Sequence, residues 1–194
     1  MKKFLAIVLM GAMVLSLASC GSKSGTSKTE TEETTTETEA TTSSISFHPD
    51  FTFKTTDRDG NEYDESIFTQ YNLTMIVFWE AYCEPGCDNL PELEQLYEKY
   101  KDQGFMVFCV YKDTSLESEI DSLIEKYKIT FPFLHYESGL DAIKSRYIPS
   151  NSFITRTGRI YYIKGEKYLP GTYTAREWEM IISQYMPDTI EIDA

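Results

Sequence analysis

The sequence has few positive charges. Its 194 residues include 18 Lys and Arg against 31 Asp and Glu, for a net charge of −13. Nucleic acids and anionic membrane surfaces attract basic patches, so this balance argues against nucleic-acid binding and against a polybasic membrane contact. Beyond the N-terminus, the chain lacks an apolar run of the roughly 20 residues that a membrane-spanning helix needs. The length suits one ordinary domain with tails.

The N-terminus, residues 1–19, predicts an export signal. Two lysines at positions 2–3 precede an apolar run over residues 4–17, and small residues then lead into Cys20. The order is typical of a signal peptide, and the sequence LASC at 17–20 resembles the lipobox of bacterial lipoproteins. That resemblance implies cleavage before Cys20 and lipidation of its thiol, which would anchor the protein on the extracytoplasmic face of the cell membrane. An ordinary signal peptide with an incidental cysteine is the alternative.

The segment that follows, residues 20–46, consists mainly of Thr, Glu and Ser after Cys20. Such a composition buries too little apolar surface to offset the entropy of ordering, and its glutamates repel one another. We therefore expect a disordered tether behind the lipid anchor. Residues 47–194 are the predicted folded domain.

Cysteine and histidine are both scarce, at four and two residues. With Cys20 assigned to the lipid anchor, the domain keeps Cys83, Cys87 and Cys109. An exported compartment permits disulfides, and only Cys83 and Cys87 are close in sequence. A disulfide between these two is therefore expected. Cys109 lies in an apolar run and is expected to be a buried small hydrophobe.

Apolar periodicity predicts an α/β domain. The predicted elements, in chain order, are strands over 51–55, 61–64 and 73–79, a helix over 90–100, a strand over 105–111, a helix over 116–127, an extended piece over 131–135, a short helix over 139–147, strands over 152–155 and 160–164, and a last helix from Thr174 that includes Tyr185. Ser115 is a candidate N-cap. Strands that alternate with helices need parallel pairing, so the order predicts a three-layer α/β/α sandwich with a mixed central sheet.

A set of motifs in fixed order now indicates a family. They are Phe51-Thr-Phe53 ahead of Asp59-Gly60, Val77-Phe-Trp79 leading into Tyr82-Cys83-Glu-Pro85, Pro91, Ile129-Thr-Phe-Pro-Phe133, Tyr147-Ile-Pro149, Phe153-Ile154 and Gly158-Arg-Ile160. In these the chain resembles the TlpA/ResA-like thioredoxin-fold proteins, which are exported and usually membrane-tethered thiol–disulfide oxidoreductases. The resemblance implies a thioredoxin-like fold with an N-terminal β-hairpin extension. It also implies that Pro149 is a cis-proline facing the thiols and shaping a substrate groove. Tyr82 and Trp79 would help to line that groove, although core packing is the favoured role for Trp79.

The second cysteine departs from the family pattern. The family spacing is Cys-x-x-Cys, with a helix proline eight residues after the first cysteine. Cys83 and Pro91 keep that spacing here, so no residue is inserted: Gly86 holds the second thiol's place and Cys87 follows it. Two local structures stay open. In a regular helix from Cys83, Cys87 lies about 40° round and roughly 6 Å along from Cys83; alternatively, Pro85-Gly86 favours a type II turn, after which the helix would begin nearer Asp88 as its N-cap.

The resemblance implies a dithiol enzyme that reduces or exchanges disulfides of exported proteins. Cys83 would be the nucleophile and Cys87 the resolving thiol, because a helix N-terminus stabilises a thiolate. No cofactor is expected. The expected partners are exported thiol or disulfide proteins, or an electron donor in the membrane.

Three alternatives stay open at this point. Cys-x-x-x-Cys also resembles the copper-binding pair of Sco-like chaperones, although His48 and His135 stand at other positions than the family's histidine. A thiol peroxidase is the second alternative. Glu80 argues against it, because peroxiredoxins have a threonine at this position of their motif. The third is a redox-inactive binding module in which Cys83 and Cys87 form a structural disulfide.

Overall fold

The computed structural model describes residues 46–184 and residue 186. The predicted signal peptide, Cys20, the tether up to residue 45 and Tyr185 lie outside these residues. No helix in the described ranges has the length and apolar character needed to cross a membrane.

The elements follow the predicted order, with shifted boundaries. The strands are β1 Lys54–Thr56, β2 Glu62–Asp64, β3 Leu73–Phe78, β4 Phe105–Tyr111, β5 Phe133–His135, β6 Ser150–Thr155, β7 Ile160–Tyr161 and β8 Leu169–Pro170. The α-helices are α1 Glu84–Tyr100, α2 Glu117–Tyr127 and α3 Ala175–Ile182. Short 3-10 helices span Glu65–Gln70, Lys101–Gln103, Thr114–Leu116 and Ser138–Ala142.

The central sheet is mixed, as predicted. Its strand order is β5-β4-β3-β6-β7, with β8 also paired to β6. Strand β3 runs parallel to β4 and antiparallel to β6, and β4 runs parallel to β5. Strands β1 and β2 form the separate N-terminal hairpin. This arrangement confirms the predicted α/β fold class.

The continuous apolar runs explain why β3 and β4 lie at the centre. Every residue of both strands is buried, so each strand packs side chains on both faces of the sheet. One core cluster gathers alternate residues of β3 and β4 with the apolar faces of α1 and α3. A second cluster takes the other face with residues from the N-terminal hairpin region.

Helix boundaries show where local signals were misread. Asp113 caps the 3-10 turn before α2 by accepting a hydrogen bond from the Ser115 backbone N–H, so the prediction of Ser115 as the N-cap was wrong. Thr174 caps α3 in a capping box with Glu177, as expected of a helix beginning there. The predicted helix over 139–147 is only a 3-10 helix over Ser138–Ala142.

Candidate active site

Cys83 lies at the start of the first core helix. It is the N-cap residue of α1, with φ −91° and ψ 91°, and its carbonyl accepts from the Cys87 N–H at 3.0 Å. The residues from Glu84 onward are therefore helical, so the structure has the regular helix and not the alternative in which α1 begins nearer Asp88. The reason is that proline fits the first helical turn, where its missing N–H has no partner to lose. Pro85 is therefore the second residue of the helix and not part of a separate turn.

The sulfur of Cys83 faces the loop before β6. Its Sγ lies 3.5 Å from the Ile148 carbonyl oxygen, to which the thiol donates. The Ile148–Pro149 peptide bond is cis, as the resemblance implies. Cys83 is partly exposed, whereas Pro149 is buried. The reachable surface on this side therefore belongs to Ile148, which is partly exposed, and to Tyr147.

Two exposed tyrosines stand one position before Cys83 and Ile148, the residues that meet at this sulfur. Tyr82 precedes Cys83 and is 66% exposed, as a groove-lining residue needs to be. Tyr147 is 50% exposed and was not predicted as a site residue. The sequence could have pointed to Tyr147, because it lies two residues before Pro149 and the resemblance already assigned that loop to the groove.

Cys87 lies on the inner side of α1. It is 9% exposed, and its thiol donates to the Ala81 carbonyl oxygen at 3.2 Å. Burial raises the pKa of the Cys87 thiol, and the charges of Cys83, Asp88 and Glu84 raise it further. Cys87 is therefore held as a neutral thiol while Cys83 stays accessible.

Gly86, not Cys87, is the residue that faces the Cys83 sulfur. A Cβ built on Gly86 would lie 3.7 Å from Cys83 Sγ and only 2.8 Å from Trp79 Cδ1. The Trp79 ring is 1% exposed and packs edge-to-face on Phe133, with centroids 5.6 Å apart. Trp79 therefore packs in the core against α1 and offers no surface to a substrate, so it has the core role that was favoured for it over a place in the groove.

Glu80 is a site residue that the sequence did not single out for this role. It is 6% exposed, and its carboxylate accepts from the Lys112 N–H at 2.9 Å and the Asp113 N–H at 3.2 Å. Its own carbonyl accepts from the Cys83 N–H at 3.0 Å. Glu80 thus joins the segment that carries Cys83 to the loop after β4.

The remaining cysteine and histidine lie in other surroundings. Cys109 is fully buried in β4, and burial raises its pKa, which confirms it as a buried small hydrophobe. His135 is engaged through both ring nitrogens, with Thr56 Oγ1 at 3.0 Å and Glu117 Oε1 at 3.2 Å. Among residues 46–184 and 186, no group of three or more His, Cys, Asp or Glu side chains could hold a metal ion.

A partly exposed cysteine at a helix N-terminus, beside a cis-proline loop and ahead of a second thiol, is the arrangement of a thioredoxin-fold thiol–disulfide oxidoreductase. The comparisons with known proteins agree. Residues 47–163 match the AhpC/TSA family, and the chain belongs to that family.

Individual relatives point the same way. The thiol-disulfide oxidoreductase ResA of Oceanobacillus iheyensis is 29% identical over 145 residues, which cover 72% of this chain and 71% of the relative. Among solved structures, a thiol:disulfide interchange protein of Chlorobium tepidum is 14% identical with a TM-score of 0.60, covering 71% of this chain and 95% of that one. StoA of Bacillus subtilis is 21% identical with a TM-score of 0.52, covering 66% and 94%. These two structural likenesses establish the shared fold.

Proposed function

We propose that the protein is a membrane-tethered, extracytoplasmic enzyme that reduces or exchanges the disulfides of exported proteins, with Cys83 as nucleophile and Cys87 as resolving thiol. The observation that carries this proposal is the unequal placement of the two sulfurs. Cys83 is partly exposed at the N-terminus of α1 beside the Ile148 carbonyl, and Cys87 is buried one helical turn behind it. An attacking thiol needs access and thiolate stabilisation, whereas a resolving thiol needs only to reach its partner.

The reaction uses the two thiols alone and needs no cofactor. The Cys83 thiolate attacks one sulfur of a substrate disulfide, forms a mixed disulfide and releases the other substrate sulfur as a thiolate. Cys87 then loses its proton and attacks Cys83 Sγ, which releases the second substrate thiol and leaves a Cys83–Cys87 disulfide. Two electrons pass from the enzyme to the substrate, and a dithiol electron donor at the membrane restores the enzyme.

The resolving step requires a local movement of Cys87. Residues four apart on a helix have Cα atoms about 6 Å apart, near the upper end of the roughly 4.4–6.8 Å that a disulfide spans. In the reduced protein the Cys87 thiol is turned toward the Ala81 carbonyl. It must leave this acceptor and rotate toward Cys83, and we therefore expect resolution to be slower than attack.

Single-cysteine variants test these roles. Cys87→Ala should form a stable mixed disulfide with a denatured model protein whose single cysteine is activated as the disulfide of thionitrobenzoate; Cys83 attacks the model protein's sulfur, thionitrobenzoate leaves, and the adduct is detected as a mass increase in intact-protein mass spectrometry. Cys83→Ala should form none on the same timescale, because Cys87 is buried and its pKa is raised. Cys109→Ala is the matched control and should exchange like the unmodified chain. Equal trapping by both single variants of the pair would contradict the assignment.

The membrane tether has its own test. The LASC sequence at 17–20 supports cleavage before Cys20 and lipidation of its thiol. In a bacterial host fed a labelled fatty acid, the unmodified chain should take up the label and partition with the membrane. Cys20→Ala should lose both properties. Labelling that persists in Cys20→Ala would place the lipid elsewhere.

A further inference from the structure

The mixed disulfide on Cys83 can be attacked from two sides. Cys87 can attack from inside the protein, but it is 9% exposed and its thiol donates to the Ala81 carbonyl at 3.2 Å. A thiolate of the bound substrate can attack from outside, because Cys83 is partly exposed. The faster of these two attacks decides whether the protein reduces a substrate disulfide or exchanges it for another.

The internal attack is slowed by the state of the Cys87 thiol. A thiolate is the attacking species, and burial raises the pKa of Cys87, as do the nearby charges of Asp88 and Glu84. Each pKa unit above that of a free thiol lowers the thiolate fraction at neutral pH about tenfold. The thiol must also leave the Ala81 carbonyl before its sulfur can approach Cys83.

The backbone around the two cysteines is closely packed. Ala81 follows Glu80, which is 6% exposed and whose carboxylate accepts from two backbone N–H groups after β4. Gly86 is buried in the first turn of α1, and an added Cβ there would lie 2.8 Å from Trp79 Cδ1. Close packing on both sides of the cysteine pair opposes the local movement that the resolving thiol needs.

The outer side of the Cys83 sulfur is more open to a substrate. Tyr82 and Tyr147, which are 66% and 50% exposed, precede Cys83 and Ile148, the residues that meet at this sulfur. Exposed aromatic side chains offer apolar contact to a partly folded chain. A polypeptide held in the mixed disulfide keeps its other thiols at an effective concentration of about millimolar. Those thiols therefore compete with Cys87 for the mixed disulfide.

We propose that the protein is also a disulfide isomerase, which rearranges non-native disulfides in partly folded polypeptides with several cysteines. The proposal rests on the proposed function, because it keeps Cys83 as the nucleophile. Cys83 attacks a substrate disulfide, forms the mixed disulfide and releases a substrate thiolate. That thiolate exchanges with another disulfide of the same polypeptide and sets a further thiolate free. The further thiolate attacks the substrate sulfur bonded to Cys83, closes a new substrate disulfide and releases Cys83 as a thiolate, so no electrons are gained or lost overall.

A substrate with scrambled disulfides tests this activity. Ribonuclease that is oxidised under denaturing conditions pairs its cysteines at random and is inactive. It is incubated with a much smaller amount of the reduced protein, with no other thiol and no oxidant. We expect the recovered ribonuclease activity to exceed, by about tenfold, what one equivalent of the protein accounts for. The free thiols, located by alkylation and mass spectrometry, should remain mainly on Cys83 and Cys87 and not pass to ribonuclease.

Single-cysteine variants separate the two routes. Cys87→Ala lacks the internal route, so it should still reactivate ribonuclease over many turnovers, with more of the protein trapped as a mixed disulfide. Cys83→Ala should not exceed the uncatalysed rate, and Cys109→Ala, the matched control, should behave like the unmodified chain. A reaction that stops at one equivalent with a Cys83–Cys87 disulfide on every molecule, or its loss in Cys87→Ala, would overturn the proposal. If Cys83 forms no mixed disulfide even with the thionitrobenzoate-activated model protein, the proposed function itself fails.

Discussion

Gly86 gives the sharpest test of how the site is packed. It is buried in the first turn of α1, and an added Cβ would lie 2.8 Å from Trp79 Cδ1 and 3.0 Å from Trp79 Nε1. Ordinary contacts between such atoms lie at about 3.5–4.0 Å. Trp79 cannot move aside cheaply, because its ring is 1% exposed and is fixed against Phe133.

The expected cost of Gly86→Ala follows from two opposing terms. Overpacking a close-packed core costs about 1–3 kcal/mol. Alanine gains up to about 1 kcal/mol over glycine within a helix. We therefore expect the free energy of unfolding to fall by about 0.5–2 kcal/mol, which lowers the urea midpoint by about 0.2–2 M at typical slopes of about 1–3 kcal/mol/M.

A double-mutant cycle ties this effect to Trp79. Trp79→Leu removes the five-membered ring that the new Cβ would meet, so Gly86→Ala should cost less, or stabilise, in that background. We expect a coupling energy of about 0.5–1.5 kcal/mol from urea titrations of the four proteins, within the range for residues in contact. A neutral Gly86→Ala with no coupling would refute the claim that the Trp79 indole occupies the space beside Gly86.

Further predictions concern the core, the loops and a helix cap. Burial raises the pKa of Cys109 in the folded protein. The stability that this thiol contributes is therefore full below its unfolded pKa of about 8.5 and is lost as the pH rises above that value, by up to about 1.4 kcal/mol per pH unit. Cys109→Ala should make the unfolding free energy fall less steeply between pH 9 and 10. Glu80→Ala should cost about 1.5–3 kcal/mol in urea unfolding, since the Lys112 N–H and its neighbour lose a charged acceptor, and an unchanged midpoint would argue against that role. Thr174→Ala should lower stability by about 1 kcal/mol by removing the cap that pairs with Glu177, with Thr174→Ser nearly neutral as its control.

Much of the fold was predictable because its main signals are local and strong. The runs that became β3 and β4 are apolar at nearly every position, which is typical of strands in a sheet covered on both faces. Strand β8, by contrast, has two residues and pairs with β6 through Ser150 and Asn151. Two residues carry no periodicity, so its pairing comes from tertiary contacts that no local pattern encodes.

The sequence predicted the position of Cys83 at the start of a helix, but it did not predict the residues that surround this cysteine. The pair Pro85-Gly86 is compatible with a type II turn and also with the first turn of a helix. In the structure it is helical, and Gly86 packs against Trp79. The role of Glu80 depends on N–H groups 32 and 33 residues further along the chain. Such long-range partners leave no spacing pattern in a single sequence.

The most direct test of the central claim is the redox equilibrium of Cys83 and Cys87 in the folded protein. The purified protein is equilibrated with mixtures of reduced and oxidised dithiothreitol or glutathione, quenched with acid and mapped by peptide mass spectrometry. We expect one reversible two-electron transition in which only the Cys83–Cys87 disulfide forms and disappears, while Cys109 stays reduced. A disulfide that resists reduction until the protein is unfolded, or a pair that never oxidises, would contradict the account.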